Sequence, residues 1–374
     1  MKKSIEFFLF ACFLALGACN TLDDKLVNCE FDQTEMLTNY SDNIIIPRFE
    51  NLNTGLALLD ASVQAFVANP TPGLLVEIQV TFAETYLAYE DCGTFAFGPG
   101  LIDGVSFRER FNTFPTNIIA VEQNILGALA VGSSAKSAVG FPAMEYLVFG
   151  NGTLTNQEIA DLFTTGVSAD ARKAYLQGLV SEMKTTIAQI NLGWDSYRTQ
   201  FISNVGTAEG TSISLLVNEL NFDFETLKNF KFKIPLGKFN GGIVIPESVE
   251  AYYAGGSAQL ALRHLLGLKR LYGGIGENGA DNLGIQDYLA CVRPLSNEEE
   301  QNGGTTLADD IAEHFIDIQT SIELIPDPMS ETLVSNKQIV EDAYLQVQML
   351  VPMIKSEMTS ALGVQINYQD NDGD

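Results

Sequence analysis

Apolar residues recur every three or four positions over most of the chain, which is the spacing of one face of an α-helix. The clearest stripe, at 168–197, consists of Leu176, Leu179, Met183, Ile187, Ile190 and Trp194. Further stripes lie at 306–325 and 335–362, and weaker ones at 56–68, 73–90 and 248–272. Because amphipathic helices must bury these stripes against one another, the sequence predicts an all-α protein made of helical bundles.

Residues at the stripe ends support these helices. Ser168 is a plausible N-cap, and Thr306 with Asp309 resembles a capping box. Pro352 predicts a kink in the last long helix, and Gly363 is a good residue to stop it. No two strand-like runs are joined by a tight hairpin turn, although GGIVIPES could be a short extended piece.

A loop-rich stretch at 229–242 interrupts the helical pattern near the middle of the chain. It places a boundary near 205–235 and predicts two helical-bundle subdomains, 35–205 and 206–374. Packed together, they would form one domain over 35–374, a size that suits one large or two medium domains.

The N-terminus has the pattern of an exported lipoprotein. Residues 1–18 contain two lysines, a short apolar run and small residues before Cys19. Cys19 lies where acylation requires a cysteine, so we expect a lipid anchor on a membrane surface, with 19–34 as a polar tether. Ordinary cleavage after a small residue is the alternative. The expected location is the bacterial cell envelope, in the periplasm or on the outer-membrane surface.

The net charge and the number of cysteines limit the classes of function that the chain can have. A net charge of −26 excludes a nucleic-acid-binding surface. It favours solubility at a crowded surface over attraction of cations. Cys29, Cys92 and Cys291 remain after the signal and the lipidated cysteine are set aside. Export permits a disulfide, but an odd number without CxxC spacing leaves the pairing open.

Few residues suggest catalysis. His264 and His314 are not spaced as a zinc-binding pair, so we interpret both as packing residues. No GxSxG elbow is present. The acids Glu84, Glu90, Glu247 and Glu250 are expected to be solvated or to cap helices, with the last two at the start of the 248–272 helix. The terminal NYQDNDGD resembles a calcium loop but lacks its bidentate glutamate.

Glu145 differs because its neighbours in GFPAMEYLVFG, residues 140–150, are apolar. A buried carboxylate needs a cation, a metal or good hydrogen-bond donors. Candidate cationic partners are Arg263, Lys269 and Arg270. Pro142 suits a first helical turn, which would put Glu145 near the positive end of the helix and favour its ionised form. Glu145 then serves either a ligand or an internal ion pair.

GFPAMEYLVFG resembles the signature helix of imelysin-like proteins, which reads Gly-x-His-x-x-Glu in that family. The stretches NYSDNIIIPRFENL, FAFGP, RKAYLQGLVSEM, PESVEAYY, LLGLKRLYGG and SALGVQINYQDNDGD agree in order, so the resemblance covers essentially the whole mature chain. It implies two helical bundles with a site between them in an exported protein, often a lipoprotein and sometimes part of iron uptake. It also implies a metallopeptidase activity, with the signature His and Glu as metal ligands.

Carried over by position, Gly140 and Glu145 match the signature, while Pro142 stands at the histidine position. Proline has no lone pair to offer a metal. A second position, often acidic in the family, is Gly93 here. The metal-ligand pair that the resemblance implies is therefore broken, which argues against peptidase activity.

The first hypothesis is a non-catalytic binding protein of the envelope, whose ligand is iron, an iron-bearing molecule, or a protein or peptide. Its predicted ligand-binding residues are Gly140, Pro142, Glu145, Glu90, Phe97, Gly98 and Arg270. Iron or zinc are the candidate cofactors, and iron-uptake or envelope proteins are the candidate partners. The alternatives are a metallopeptidase that uses carboxylates such as Glu145 and Glu90, and a purely structural surface module.

Overall fold

The protein is all-α, as predicted, and a computed structural model describes residues 29–296, 299–300 and 302–368. The predicted signal peptide, Cys19 and the calcium-like C-terminus lie outside the described residues. The α-helices are α1 Gln33–Asn39, α2 Ile46–Ala68, α3 Pro72–Glu90, α4 Arg108–Phe111, α5 Ile118–Leu126, α6 Gly140–Phe149, α7 Asn156–Leu162, α8 Ala169–Ser203, α9 Ser212–Thr226, α10 Ser257–Gly273, α11 Ile285–Val292, α12 Leu307–Glu323, α13 Met329–Ser335, α14 Lys337–Pro352 and α15 Thr359–Leu362.

Three π-helical stretches continue neighbouring helices: Tyr40–Ile45, Leu227–Lys233 and Met353–Met358. Short 3₁₀ turns lie at Gly98–Gly100, Val131–Ser133, Lys136–Ala138 and Pro246–Ser248. Two strands, β1 Leu101–Ile102 and β2 Val105–Ser106, form an antiparallel hairpin. The hairpin contradicts the expectation of none. Asp103 and Gly104 both have positive φ, which is the geometry that an Asp-Gly turn favours, and this sequence signal was missed.

The helices pack through the predicted stripes. In the N-terminal half, α2 packs against α3 and α8, and α6 packs against α3 and α8. In the C-terminal half, α12 packs against α10, α11 and α14. Helix α10 also contacts α3, which joins the halves. The division at 35–205 and 206–374 stays a prediction.

The predicted helix ends are mostly confirmed. The Thr306 hydroxyl accepts the Asp309 N–H at the start of α12, and Gly363 ends α15 in a left-handed conformation. Ser168 precedes α8 but its side chain makes no capping bond. At Pro352, α14 gives way to the π-helical stretch, because proline cannot supply the N–H of a regular ladder.

The predicted helix at 248–272 begins late, at Ser257. Residues 245–256, here called the cavity loop, instead form a 3₁₀ turn and irregular turns. Glu247 and Glu250 therefore do not begin a helix. The carboxylate of Asp327 accepts the N–H groups of Ala258 and Gln259, and so caps α10 from a distant segment.

Among the described cysteines, Cys29 and Cys291 form a disulfide and Cys92 is a buried free thiol. The disulfide ties the N-terminal end of the described chain to α11, a pairing that the sequence left open. Within the described ranges, no helix is both long and apolar enough to cross a membrane.

Candidate functional site

Helix α6 carries the predicted signature and sits directly against α4. Gly140 begins it with φ +70°, and a Cβ there would lie 2.2 Å from the carbonyl oxygen of Phe111. Only glycine tolerates both this conformation and this close approach. Pro142 is the third residue of α6, where a backbone N–H has no partner within a helix, as predicted.

Glu145 is 3% exposed, and two backbone N–H groups bind its carboxylate. Its Oε1 atom accepts the N–H of Tyr253 at 2.6 Å and that of Ala254 at 2.8 Å. Glu145 therefore connects α6 to the cavity loop. The ion-pair expectation is wrong, because hydrogen-bond donors of the backbone take the place of a cation.

The three expected cations bind other groups. Arg263 pairs with Asp91. Arg270 lies 2.8 Å from the carboxylate of Glu277 and also donates to the Gly276 carbonyl. Lys269 donates to Gln319 at 3.0 Å.

Burial raises the pKa of Glu145 to about 7. The N–H groups of Ala254 and Tyr253 act in the opposite direction, and the nearby carboxylate of Glu250 adds to the rise. The expectation that the helix dipole favours ionisation is thus wrong. Glu145 is the sixth residue of α6, and the dipole effect falls off within the first turn.

A cavity of about 310 Å³ lies beside Glu145. It is lined by Phe114, Pro115, Thr116, Glu145, Ile245, Glu247, Ser248, Val249, Ala251, Tyr252 and Tyr253. Seven of these residues belong to the cavity loop. The exposed side chain of Glu247 and the 37% exposed Tyr252 place one side of the cavity at the surface. Its volume is at the lower end of the range for small-molecule sites.

A second polar cluster, which we call the lysine cluster, lies behind the cavity loop. The Lys231 ammonium is 2.6 Å from Glu90 Oε2 and 2.5 Å from Glu250 Oε2. Asn112 and Tyr86 donate to Glu250 Oε1 at 2.7 and 3.2 Å. Glu90, Lys231 and Glu250 are at most 3% exposed.

The pKa values of the two acids in the lysine cluster are shifted in opposite directions. Burial and then the Glu250 carboxylate raise the pKa of Glu90 well above its usual range. Burial also tends to raise the pKa of Glu250, but Lys231 and Asn112 outweigh it and hold that pKa below its usual value. The two acids therefore differ in acidity, although both contact the same ammonium group.

His264 lies next to the lysine cluster. Its Nδ1 is 3.4 Å from Glu90, and its Nε2 is 3.0 Å from Asp223. The Thr94 hydroxyl donates to Asp223 at 2.6 Å. Burial tends to raise the pKa of Asp223, but His264 outweighs it, so that pKa is lowered to about 2. His264 is buried, in line with a packing residue, but it packs among acids.

The residues predicted to bind ligand do not form one site. Of the seven, only Glu145 lines the cavity. Glu90 belongs to the lysine cluster, and Phe97 stacks on Phe201 at 5.9 Å between ring centroids. Gly98 has φ +51° and lies against Tyr197. Their role in binding stays a prediction.

Sequence reasoning missed Lys231, Tyr252, Tyr253 and the pairing of Glu250. A lysine in the aromatic run NFKFK was the one local signal of a buried ammonium. The tyrosines carry no pattern that separates cavity residues from packing residues. Their position depends on the irregular path of the cavity loop.

The donors around Glu145 do not fit a metal. Among the residues that the structure describes, no three His, Cys, Asp or Glu side chains are grouped to hold an ion. The Oε1 atom of Glu145 already accepts two backbone N–H groups. These donors occupy the positions at which a cation would bind that oxygen. His314 lies elsewhere, 3.0 Å from the Gln346 carbonyl.

These features define an all-α protein with an acidic, ligand-sized cavity beside a short buried helix. The sequence profile described as Imelysin matches residues 45–351, which is most of the chain. The chain therefore belongs to the imelysin family.

Two solved structures share the fold. One is described as a "putative iron-regulated protein A precursor" from Parabacteroides distasonis ATCC 8503, with a TM-score of 0.72 and 15% identity over 88% of this chain and 95% of that one. The other is an imelysin-like protein from Psychrobacter arcticum 273-4, with a TM-score of 0.67 and 18% identity over 90% of this chain and 98% of that one. No curated protein matches the chain.

Proposed function

We propose that this protein is a non-catalytic binding protein of the imelysin family that takes an iron-bearing small molecule into the cavity beside Glu145. The observation that carries the proposal is the cavity itself, with a buried carboxylate on its wall. The Glu145 carboxyl group is 3% exposed and has therefore lost most of its hydration. A ligand in the cavity can form new hydrogen bonds to it and so recover part of that free energy.

The link to iron comes from a structural relative. A protein of the same fold bears a name that describes it as iron-regulated. The acidic cavity does not suit a bare iron ion, because Oε1 of Glu145 already accepts two N–H groups and the described residues contain no group of three or more His, Cys, Asp or Glu side chains that could hold an ion. An iron atom held by its own organic ligands needs no protein donors.

The metallopeptidase alternative has less support. A peptidase needs a metal or another group that activates water, together with a general base. Glu145 has the raised pKa of a base, but Pro142 stands where the family resemblance expects a metal-binding histidine. The two carboxylates of that hypothesis, Glu145 and Glu90, also have separate partners.

We further propose that the chain acts in the cell envelope, anchored through lipidated Cys19. The disulfide between Cys29 and Cys291 supports an oxidising compartment, where such bonds form and persist. Labelling with a fatty-acid analogue tests the anchor, and Cys19→Ser should abolish the label. A label that persists in Cys19→Ser contradicts the anchor.

The binding function is tested by titration calorimetry with ferric citrate, a ferric hydroxamate, a ferric catecholate, haem and ferric ion alone. We expect at least one organic chelate to bind the wild-type protein and to bind Glu145→Gln about tenfold more weakly or worse. Glu50→Gln is the matched control, because it removes one exposed charge without touching the cavity.

Two outcomes contradict the proposal. If every chelate binds wild type and Glu145→Gln with equal affinity, the cavity is not the binding site. Cleavage of an unstructured protein such as casein, together with stoichiometric zinc that is lost in Glu145→Ala, establishes the peptidase instead.

A further inference from the structure

The charges around the cavity indicate which part of a ligand it recognises. We infer that the cavity binds an organic ammonium group, with an apolar arm or ring behind it. This inference rests on the proposed function, since it names the chemical class of ligand for that same cavity. Neither a bare metal ion nor an anion suits the groups described below.

The first argument is charge. Glu145 and Glu247 line the cavity, and no lysine, arginine or histidine is among the described residues that line it. The whole chain has a net charge of −26, so its long-range field also attracts cations. An anion would meet two carboxylates without a compensating charge.

The second argument concerns the two oxygens of the Glu145 carboxyl group, of which only one accepts hydrogen bonds from the described residues. Within the described chain, both hydrogen bonds to the Glu145 carboxylate reach Oε1. Glu145 is 3% exposed and lines the cavity, so its second oxygen, Oε2, is left as an acceptor for a ligand. A hydrogen bond from an ammonium to a carboxylate is roughly twice as strong as a neutral one.

The third argument is the aromatic wall. Tyr252 and Tyr253 lie at the cavity with their rings 5.1 Å apart, edge to face, and Phe114 is on the wall too. Tyr146 packs against Tyr253 from behind at 6.1 Å. Aromatic faces attract cations and also bury apolar groups, which suits an ammonium on a hydrocarbon body.

The fourth argument is that no lysine, arginine or histidine of the described residues pairs with Glu145. Glu250, on the cavity loop, already binds Lys231, and Glu90 contacts the same ammonium. Lys231 is 2% exposed and held by two carboxylates, so it stays in its own cluster. The charge of Glu145 is left for a ligand from outside.

Two matched probe pairs test the inference. The first compares 2-phenylethylamine with 2-phenylethanol, which has the same body without a charge. The second compares ferrioxamine B, an iron chelate with a primary ammonium arm, with its N-acetylated form. Each is titrated into the full-length protein, the Glu145→Gln and Glu247→Gln variants and the Glu50→Gln control. The site is located from the Tyr252 and Tyr253 resonances, which a bound phenyl ring shifts and a bound paramagnetic ferric ion broadens.

We expect each ammonium to bind at least about tenfold more tightly than its neutral partner. Glu145→Gln should remove this preference, Glu247→Gln should reduce it, and Glu50→Gln should leave it unchanged. Thermal melting of each variant shows that a lost preference does not come from unfolding.

The contrary results separate this inference from the function it rests on. Equal binding of ferrioxamine B and its acetylated form, still lost in Glu145→Gln, overturns the ammonium preference but keeps the iron-bearing ligand. Binding of 2-phenylethylamine without binding of any ferric chelate keeps the ammonium site and overturns the link to iron. No measurable binding of either ammonium overturns the inference.

Discussion

Two groups of buried carboxylates lie close together in this protein, yet they have different partners. Glu145 is held by two backbone N–H groups and lines a cavity. Glu90 and Glu250 are held by the ammonium of Lys231. A carboxyl group held by neutral donors has no counter-charge within the protein, whereas a carboxylate held by a lysine already has one.

The cavity loop serves both groups through neighbouring residues. Glu250 turns its side chain toward Lys231, while Tyr253 and Ala254 turn their N–H groups toward Glu145. Ala251, between them, has φ +49°, an uncommon value for a residue other than glycine. The irregular loop therefore sets the position of both sites. The comparison predicts that the lysine cluster supports stability and Glu145 supports binding.

The largest effect is expected from Lys231→Met. Removal of the ammonium leaves two acids buried without a cation, which should lower the free energy of unfolding by about 3 to 5 kcal/mol. Urea denaturation measures this. Lys136→Met removes an exposed lysine, 58% accessible, and should change stability by less than about 0.5 kcal/mol. A loss below about 1 kcal/mol in Lys231→Met would show that the cluster is not a structural ion pair.

A pH series should isolate Glu145. Its pKa is about 7 when folded and near its usual 4.5 when unfolded. Between these values the folded state holds the extra proton, so this contribution to stability is full below pH 4.5 and is lost as pH rises through 7. The wild-type protein should therefore lose up to about 3 kcal/mol relative to Glu145→Gln between pH 4.5 and pH 8.

Chemical denaturation of both proteins at each pH gives this difference directly. Parallel stability curves for wild type and Glu145→Gln would contradict the raised pKa. In the same pH range, an ammonium ligand that requires the ionised acid should bind about tenfold more weakly at pH 6 than at pH 8.

Gly140→Ala should have a smaller effect on stability. The added Cβ meets the Phe111 carbonyl at 2.2 Å, and φ is +70°, so α6 must shift at a cost of about 2 kcal/mol. Gly73→Ala is the control, because nothing lies within 4 Å of its Cβ and it is already helical. Equal melting temperatures for the two variants would show that α6 adapts, and then Gly140 does not fix the position of Glu145.

The smallest effect on stability belongs to Glu145→Gln at pH 4.5, where the folded carboxyl group carries a proton and is neutral like the amide. The amide oxygen can still accept the N–H groups of Tyr253 and Ala254, so we expect a change below about 1 kcal/mol there, together with the loss of ligand binding described above at pH 8. Calorimetric melting at the lower pH and titration at the higher pH measure the two effects. A variant that unfolds readily but still binds ligand would reverse the roles assigned to the two acid groups.

Most of the fold could be predicted because its signals are local. The stripe at 168–197 predicts α8, and Thr306 and Gly363 mark helix ends that the structure confirms. The failures also have local causes. The Asp103-Gly104 turn was overlooked, and the apolar pattern at 248–256 was extended into a helix although this segment forms the cavity loop.

The candidate site could be predicted only in part. A single acid in an apolar helix indicates that Glu145 is buried and needs a partner, and the sequence says no more than that. Its donors, Tyr253 and Ala254, are 108 and 109 residues further along the chain. Lys231 and Glu90 are 141 residues apart, although their atoms are 2.6 Å from each other.

The sequence by itself determined the helical class, the positions of most helices and the presence of one buried acid. It could do so because helix periodicity and capping act between residues that are three or four positions apart. Only the tertiary structure decided that Glu145 has backbone donors, that Lys231 contacts both Glu90 and Glu250, and that a cavity opens beside Glu145. Those outcomes depend on the path of the irregular cavity loop and on its contacts with residues far away in the sequence. No local sequence pattern specifies such contacts.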